Sequence, residues 1–449
     1  MTFSMTFSMA FGNRAGLLGV MLILLVGCVR SSPEAETEVI AGQAPAVRPV
    51  PIGVSPSPIP RRLPAFDREP EIGVLLAQGK RLAFDLPNGG TLPDGRALAK
   101  GRCTVEVAGR GLRLGGHEVS ATLVLIDAPA SNGVRFRARP DGSDKDARFA
   151  GRPVLRRTAA GSVELIERVP LDGYLAGVVG VEMNPNWPAQ ALAAQAIAAR
   201  SYAAARWLAA SDQPWQLHHH FSVDMAYHGV PAKSDAAVAA VAQTRGQVLW
   251  YRGQPVLARF HAASGGRTES AANLWPAFLA PDGVTSQAPV MPVVDDPVCA
   301  RAAVALRLPL HQDWTTEIPL KTVTEAVRTW ANQNSAQSGK PAVSAVTAVS
   351  ITGREADSGR AKTVQIRYHG GEISMPAVDL RRALGSGTVR STGWDFCAVV
   401  DGRLVIRGHG YGHGVGLSQI SAWQMARDGS DAAAILARFY PGTELVRRY

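Results

Sequence analysis

Blocks of lysine and arginine interleaved with aromatic residues are absent from this chain. That absence argues against nucleic acid as a partner. A formal net charge of +10 still favours anionic partners of another kind, such as anionic lipid or an acidic polymer. Three chemical signatures are missing as well. His409 and His413 are four positions apart, but glycines surround them and no HExxH helix with its glutamate is present. No glycine-rich loop ends in Lys-Ser/Thr, which leaves nucleotide phosphate chemistry without a motif. Ser264 and Ser270 in ASGGRTES lack the Gly-x-Ser-x-Gly elbow of a serine hydrolase. There is no internal repeat and no regular βαβ alternation.

The 449 residues are 46% hydrophobic and 19% charged. That composition is globular, and the length provides for roughly two to three folded units. Near the start, Arg14 precedes the apolar run LLGVMLILLVG, residues 17–27. The run has the length of a signal-peptide core and is too short to span a bilayer as a finished helix. It leads through LVGC into Cys28, which resembles a bacterial lipobox. The expectation is a signal peptide over 1–27, an acylated Cys28 and a lipid anchor in the membrane. Val29 rather than Asp follows Cys28, which by resemblance to enterobacterial lipoprotein sorting permits outer-membrane delivery, the expected location, facing the periplasm. An ordinary signal peptide that happens to contain a cysteine is the alternative. Residues 29–65, rich in Pro, Ser and Ala, read as an extended tether. Export places Cys103, Cys299 and Cys397 where disulfides form, and one pair plus a free thiol is the simplest count. Cys299–Cys397 is the expected pair.

Short β-like segments separated by Gly, Pro and Asp fill residues 71–169 and predict a small antiparallel β domain. Residues 170–449 mix helices and strands, with a polar insertion near 332–341. The fold class is therefore α+β. The clearest helix runs from Asn186 as N-cap, through Pro188 in the first turn, to about Ala210. Leu192, Ala196, Ala199, Ala203 and Trp207 would share one of its faces. A hairpin is expected through Arg252-Gly253.

Glu182 stands out among the carboxylates. It follows an apolar stretch, read as a strand, and precedes Asn-Pro and Trp-Pro steps. Partial desolvation there would raise its pKa and suit a general acid, whereas the nearby helix N-terminus would favour the ionised form. A plain helix cap is the equal alternative. The triplet His218, His219 and His220 cannot direct all three rings at one ion in regular structure. The glycines of RGHGYGHGVGLS suit a sharp turn or a close approach to a ligand.

Four stretches in order resemble the stage II sporulation protein D family, also called the SpoIID/LytB or amidase-enhancer domain. They are VPLDGYLAGVVGVEMNPNWPAQALAAQAIAARSYAAAR, TRGQVLWYRGQPVLARFHAASGGRTESAANLW, DLRRALGSGTVRSTGWDF and GHGYGHGVGLSQISAWQMARDGSDAAAILARFYPGTEL. The resemblance implies a lytic transglycosylase that cleaves peptide-stripped peptidoglycan between N-acetylmuramic acid and N-acetylglucosamine, leaving a 1,6-anhydro end. It implies Glu182 as catalytic acid and base. Substrate contacts would come from Arg200, Tyr202, His261, Ser264, Arg267, His409, His413 and Ser418, with Ser418 or Gln419 opening the last helix. Arg200 would hold a carboxylate or acetamide oxygen, or would form an ion pair that orients Glu182. The alternative that the family implies is a non-catalytic, glycan-binding enhancer of a cell-wall amidase. Many members carry lysine where Ala193 stands, and some bind zinc through Cys and His near the Gly-Gly loop. No cysteine is present in RFHAASGGRTES, so neither metal nor other cofactor is expected. A metal-dependent hydrolase using the histidines is the third reading.

Overall fold

The computed structural model describes residues 68–140, 147–275, 287–334 and 343–449. The expected signal peptide, Cys28 and the tether lie outside these residues. So does most of the expected polar insertion, and residues 332–334 instead close the helix Leu320–Asn334. Among the described residues no helix is long and apolar enough to cross a membrane.

The chain is α+β, as its pattern predicts. Two largely antiparallel sheets dominate the first part, the first with a parallel edge strand, Leu217–His218. One centres on Val163–Pro170, which pairs with Glu71–Gly79 on one side and Arg152–Arg157 on the other. The second centres on Arg81–Leu86 and Gly101–Ala108. In Arg81–Leu86 the inward Phe84 and Leu86 are fully buried while Arg81 is exposed, the alternation of a half-buried strand. This region does not stand apart as a small domain. Its Ile72, Phe84 and Leu165 share one continuous core with Leu192, Ala196, Val415 and Phe439 from distant parts of the chain.

Helix α1, Leu171–Glu182, begins immediately after the central strand. The apolar stretch before Glu182 is thus helical rather than extended. A short apolar run with three valines reads equally well either way, and packing decides it. Pro170 sits at the N-cap without a side-chain cap bond, and Asp172 in the first turn favours a helix start. Helix α2, Ala189–Ala209, follows, with Pro188 rather than Asn186 at its N-cap. Every residue from Ala191 to Ala204 is buried, so α2 runs through the middle of the core. Helix α3, Asp235–Gln243, is capped by Ser234 and packs against both. The expected hairpin joins Gln247–Tyr251 to Gln254–Pro255, with Arg252 and Gly253 at φ 47° and 81°.

A second core is built from residues that lie between the Gly-Gly loop and the closing motif. Asp313–Pro319, Arg403–His409 and Gly393–Val400 form one sheet, and Val346–Arg354, Ala361–Tyr368 and Gly371–Pro376 form another. The helices Leu320–Asn334 and Ala377–Leu384 cover a core that includes Val364, Trp394 and Ile406.

The three described cysteines are all free and buried, which corrects the expected Cys299–Cys397 pair. Cys103 lies in the first core, Cys397 in the second, and Cys299 in a third cluster with Ala263, Ile420 and Trp423. Membership of separate cores keeps each thiol from the others.

Candidate active site

Glu182 is the last residue of α1. The C-terminal end of a helix carries partial negative charge, so α1 disfavours its carboxylate, opposite to the effect expected from a helix N-terminus. The residue is half-buried. Burial raises its pKa above the usual carboxylate range, against two hydrogen bonds that favour the charged form. The Ala226 N–H donates to Oε1 at 2.9 Å, and the Gln419 side-chain amide donates to Oε2 at 3.4 Å. Gln419 opens the helix Gln419–Arg427, with Ser418 at its N-cap, but the expected last helix is divided, and a separate one, Ala432–Phe439 capped by Asp431, follows. The segments that carry Glu182, Ala226 and Gln419 are thus far apart in sequence and are brought together at this carboxyl group.

The loop that supplies the Ala226 N–H is fixed by Asp224. Tyr202 on α2 donates its hydroxyl to Asp224 Oδ1 at 2.6 Å, and the His218 N–H donates to Oδ2 at 2.8 Å. Arg206, one turn beyond Tyr202 on the same helix, pairs with Asp224 at 3.3 Å. Tyr202 therefore sits behind the site, 4% exposed, rather than on its surface. The histidine triplet leads into this loop, with the rings of His218 and His219 stacked at 4.9 Å.

Arg200 corrects the expectation of a substrate ligand. It is 0% exposed, and its Nε donates to Asp172 in the first turn of α1 at 2.9 Å. Nη1 reaches Thr244 Oγ1 and the Gln247 carbonyl, and Nη2 reaches the Val241 carbonyl at 3.0 Å. Arg200 ties α2 to the start of α1 and the end of α3, and its partners do not include Glu182. Ser264 and Ser418 are also fully buried. Ser264 and Ser421 each donate to Oδ2 of Asp296 at 2.7 Å, and Ser418 shares a hydrogen bond with Ser421 at 2.8 Å. These hydroxyls staple the Gly-Gly loop to the helix that carries Gln419. They do not line a surface. Arg267 pairs with Asp295 at 2.6 Å on the outside, and His409 pairs with Asp395 of the second core at 3.3 Å.

The opening of the closing motif is a close-approach loop. Gly410, Gly412, Gly414 and Gly416 all have positive φ, from 72° to 107°. A Cβ at Gly416 would lie 2.0 Å from the Arg259 carbonyl, and one at Gly414 would lie 2.7 Å from Arg360 Cζ. The loop runs beside residues 260–269, where Phe260 pairs with Leu417 and Glu269 with Val415. His261, 4% exposed, donates from Nδ1 to the Val415 carbonyl, and burial with the nearby Arg360 charge lowers its pKa to about 3. The His413 ring lies 5.7 Å from that of His261 and 5.4 Å from that of Trp275. Its Nδ1 accepts the Val415 N–H, which puts the proton of the neutral ring on Nε2. Among the described residues no group of three or more His, Cys, Asp or Glu is arranged to hold a metal ion.

Residues 159–251 match the family described as Stage II sporulation protein. The chain carries a stage II sporulation protein domain. Glu182, Arg200, Tyr202 and Asp224 lie within the matched stretch. Residues 311–416 match a second family, a domain of unknown function, whose limits follow the second core. The chain is 28% identical to the stage II sporulation protein D of Bacillus subtilis over 303 residues, 64% of this chain and 77% of that protein. It is 28% identical to an uncharacterised protein of Brachyspira hyodysenteriae over 283 residues, 63% of this chain and 68% of that protein. The amidase enhancer of Bacillus subtilis is 28% identical over 237 residues, 46% of this chain, and the match spans only 32% of that larger protein.

Sequence reasoning singled out Glu182 but missed Asp224, Arg259, Asp296 and Arg360. Arg206 gave a signal, as a charged residue one turn from Tyr202 in an alanine-rich helix. The others gave none, because their partners are distant in sequence.

Proposed function

We propose that the chain is a peptidoglycan lytic transglycosylase with Glu182 as its single acid and base. The stage II sporulation protein domain and the likeness to an amidase enhancer support a role at the cell wall. The observation that carries the catalytic reading is the Glu182 carboxyl group. It is half-buried at a helix C-terminus, raised in pKa, and held by two donors among the described residues.

In this reading Glu182 protonates the glycosidic oxygen between N-acetylmuramic acid and N-acetylglucosamine. The C1–O bond breaks, and the N-acetylglucosamine leaves with its 4-hydroxyl restored. The 6-hydroxyl of the muramic acid attacks C1, and its proton passes to the Glu182 carboxylate. The acid is regenerated, no water is consumed, and a 1,6-anhydro sugar remains. A second carboxylate nucleophile is unnecessary, unlike in ordinary retaining glycosidases. The Ala226 N–H and the Gln419 amide hold the carboxylate in place between the two proton transfers. We place the protein at the cell envelope, anchored through an acylated Cys28 on the periplasmic face of the outer membrane; a Cys28→Ala protein that still fractionates with membranes would refute the anchor.

The deciding experiment is mass spectrometry of products from amidase-treated glycan. Wild-type protein should release anhydro-ended fragments, and Glu182→Gln should not. A second reading, a non-catalytic glycan-binding enhancer of an amidase, draws on the amidase-enhancer likeness. It predicts binding to sacculi without new ends, indifferent to Glu182→Gln.

A further inference from the structure

Glu167 sits where an apolar side chain is expected. In the strand Val163–Pro170 it shares a face with Leu165 and Val169, both buried in the main core. The residue is 0% exposed. Burial pushes its pKa up to about 7, and Lys233 faces it as a countercharge. A buried carboxyl group is costly unless hydrogen bonds and charge compensate it. An apolar residue would fill this position at lower cost, so the groups that Glu167 holds are the clue to its role.

Two segments converge on it. Gly151, in the bend between Ala147–Phe149 and Arg152–Arg157, donates its N–H to Oε1 at 2.7 Å. Tyr227 brings its hydroxyl to the same carboxyl group as a donor. Oε2 has no partner of regular hydrogen-bond geometry among the described residues, so the hydroxyl meets the group off-line.

Tyr227 directly follows Ala226, whose N–H holds Glu182 Oε1. Its own N–H donates to the His219 carbonyl at 3.0 Å. Its ring lies 4.6 Å from that of Tyr174 on α1. Gly177, on the same helix, leaves room for it: a Cβ there would lie 2.7 Å from Tyr227 Cε2. On the other side of Ala226, Asp224 is held by Tyr202 and Arg206. The Ala226 N–H is thus set between two anchors, and the second, Tyr227, packs on the helix that ends in Glu182.

We propose that Glu167 is a positioning residue for Glu182, acting through the Tyr227 hydroxyl and the adjoining Ala226 N–H. The inference rests on the catalytic reading of Glu182 and deepens it. A Tyr227 ring fixed against α1 fixes the donor relative to the helix end that carries the acceptor. Without the Glu167 contact the ring and the Ala226 N–H would shift together. The bond that favours the charged form of Glu182 would weaken, and the Glu182 pKa would rise further.

The test follows the Glu182 side-chain carboxyl carbon by NMR in the full chain labelled with carbon-13 at glutamate, with Glu182→Gln to assign the signal. Tyr227→Phe and Glu167→Met should each move the Glu182 midpoint up by about half a pH unit or more. Glu167→Gln removes the same charge but still accepts hydrogen bonds, and should not raise it. The double variant Glu167→Met/Tyr227→Phe should go no further than the larger single shift, because both act along one path. Cleavage of glycan should follow the same order. The kcat of Tyr227→Phe and Glu167→Met should fall about ten-fold with KM unchanged, and that of Glu167→Gln should stay within about two-fold of wild type. A Glu182 midpoint that does not move in the folded variants overturns the proposal, as do additive shifts in the double variant or a shift in Glu167→Gln as large as in Glu167→Met. A merely structural role would lower the melting temperature and leave the midpoint in place. If Glu167→Met does not fold, Tyr227→Phe decides. A wild type that releases no anhydro ends refutes the transglycosylase reading, and the midpoints still decide the positioning role. A chain that cleaves while the midpoints stay fixed does the reverse.

Discussion

Tyr202 donates its hydroxyl to Asp224 at 2.6 Å, and through that bond a helix in the middle of the core sets the position of the loop that holds Glu182. Tyr202→Phe removes only that donor. The expected loss of stability is about 1 kcal/mol, typical of one hydrogen bond. Cleavage of stripped glycan should fall by about 10–100-fold, because small displacements of a catalytic group are costly. Thermal melts and product quantitation on the same preparation separate the two effects.

Glu182→Gln should have opposite effects on activity and stability. Loss of the acid should lower cleavage by at least about 100-fold. The folded state holds the Glu182 proton to higher pH than the unfolded chain does, so this group weakens the fold as pH rises through that interval. The glutamine variant should therefore melt higher than wild type at neutral pH, and the difference should vanish in acid. Activity of the wild type should decline as pH rises through the raised pKa of Glu182. Melts across a pH series, paired with a pH–rate profile, provide the check.

Arg200 is buried among Asp172, Thr244 and two backbone carbonyls. Arg200→Ala leaves Asp172 without its main partner and should cost about 3–5 kcal/mol. Arg200→Lys cannot reproduce the fork and should recover little of that. Denaturant titration measures the loss. The affinity of the remaining folded protein for glycan should be unchanged, a result that a substrate-binding arginine would not give.

Gly414→Ala should destabilise the chain by about 1–3 kcal/mol, since its φ is 88° and the new methyl would meet Arg360. Gly429 has a similar φ of 95° with open space around it. Gly429→Ala should therefore cost less, through backbone strain alone. Parallel melts of the two variants make the comparison.

The buried thiols should be inert. Burial raises Cys103 to about 11 and Cys397 to about 12, so little thiolate forms at neutral pH. A reducing agent should leave the melting temperature unchanged, and alkylation of these two residues should require unfolding. Peptide mapping after iodoacetamide treatment, with and without denaturant, reads this directly.

Much of this arrangement was legible in local pattern. Pro188 and the alanine run after it announce α2, and Arg252-Gly253 announces a hairpin, because both depend on backbone preferences within a few residues. The glycines around His413 announced a close approach for the same reason. Glu182 was legible as a special carboxylate, but its helix was not, since LAGVVGV suits either period. Arg200 was misread because its burial depends on Asp172 and on carbonyls at 241 and 247, which no local pattern reveals. The second core was not legible as a unit, because its strands and helices match their surroundings in composition and no linker marks its edges.

Asp313 pairs directly with His409, so the chain enters and leaves the second core at adjacent points. This has a kinetic consequence. Once those two strands have zipped together, the Gly-Gly loop and the closing motif are joined by a short effective tether instead of the whole intervening segment. Closing a long loop carries more entropy loss than closing a short one, and non-local pairings are what slow folding. The segment that separates residues 260–269 from 411–420 in sequence would thus, by folding early, bring them together.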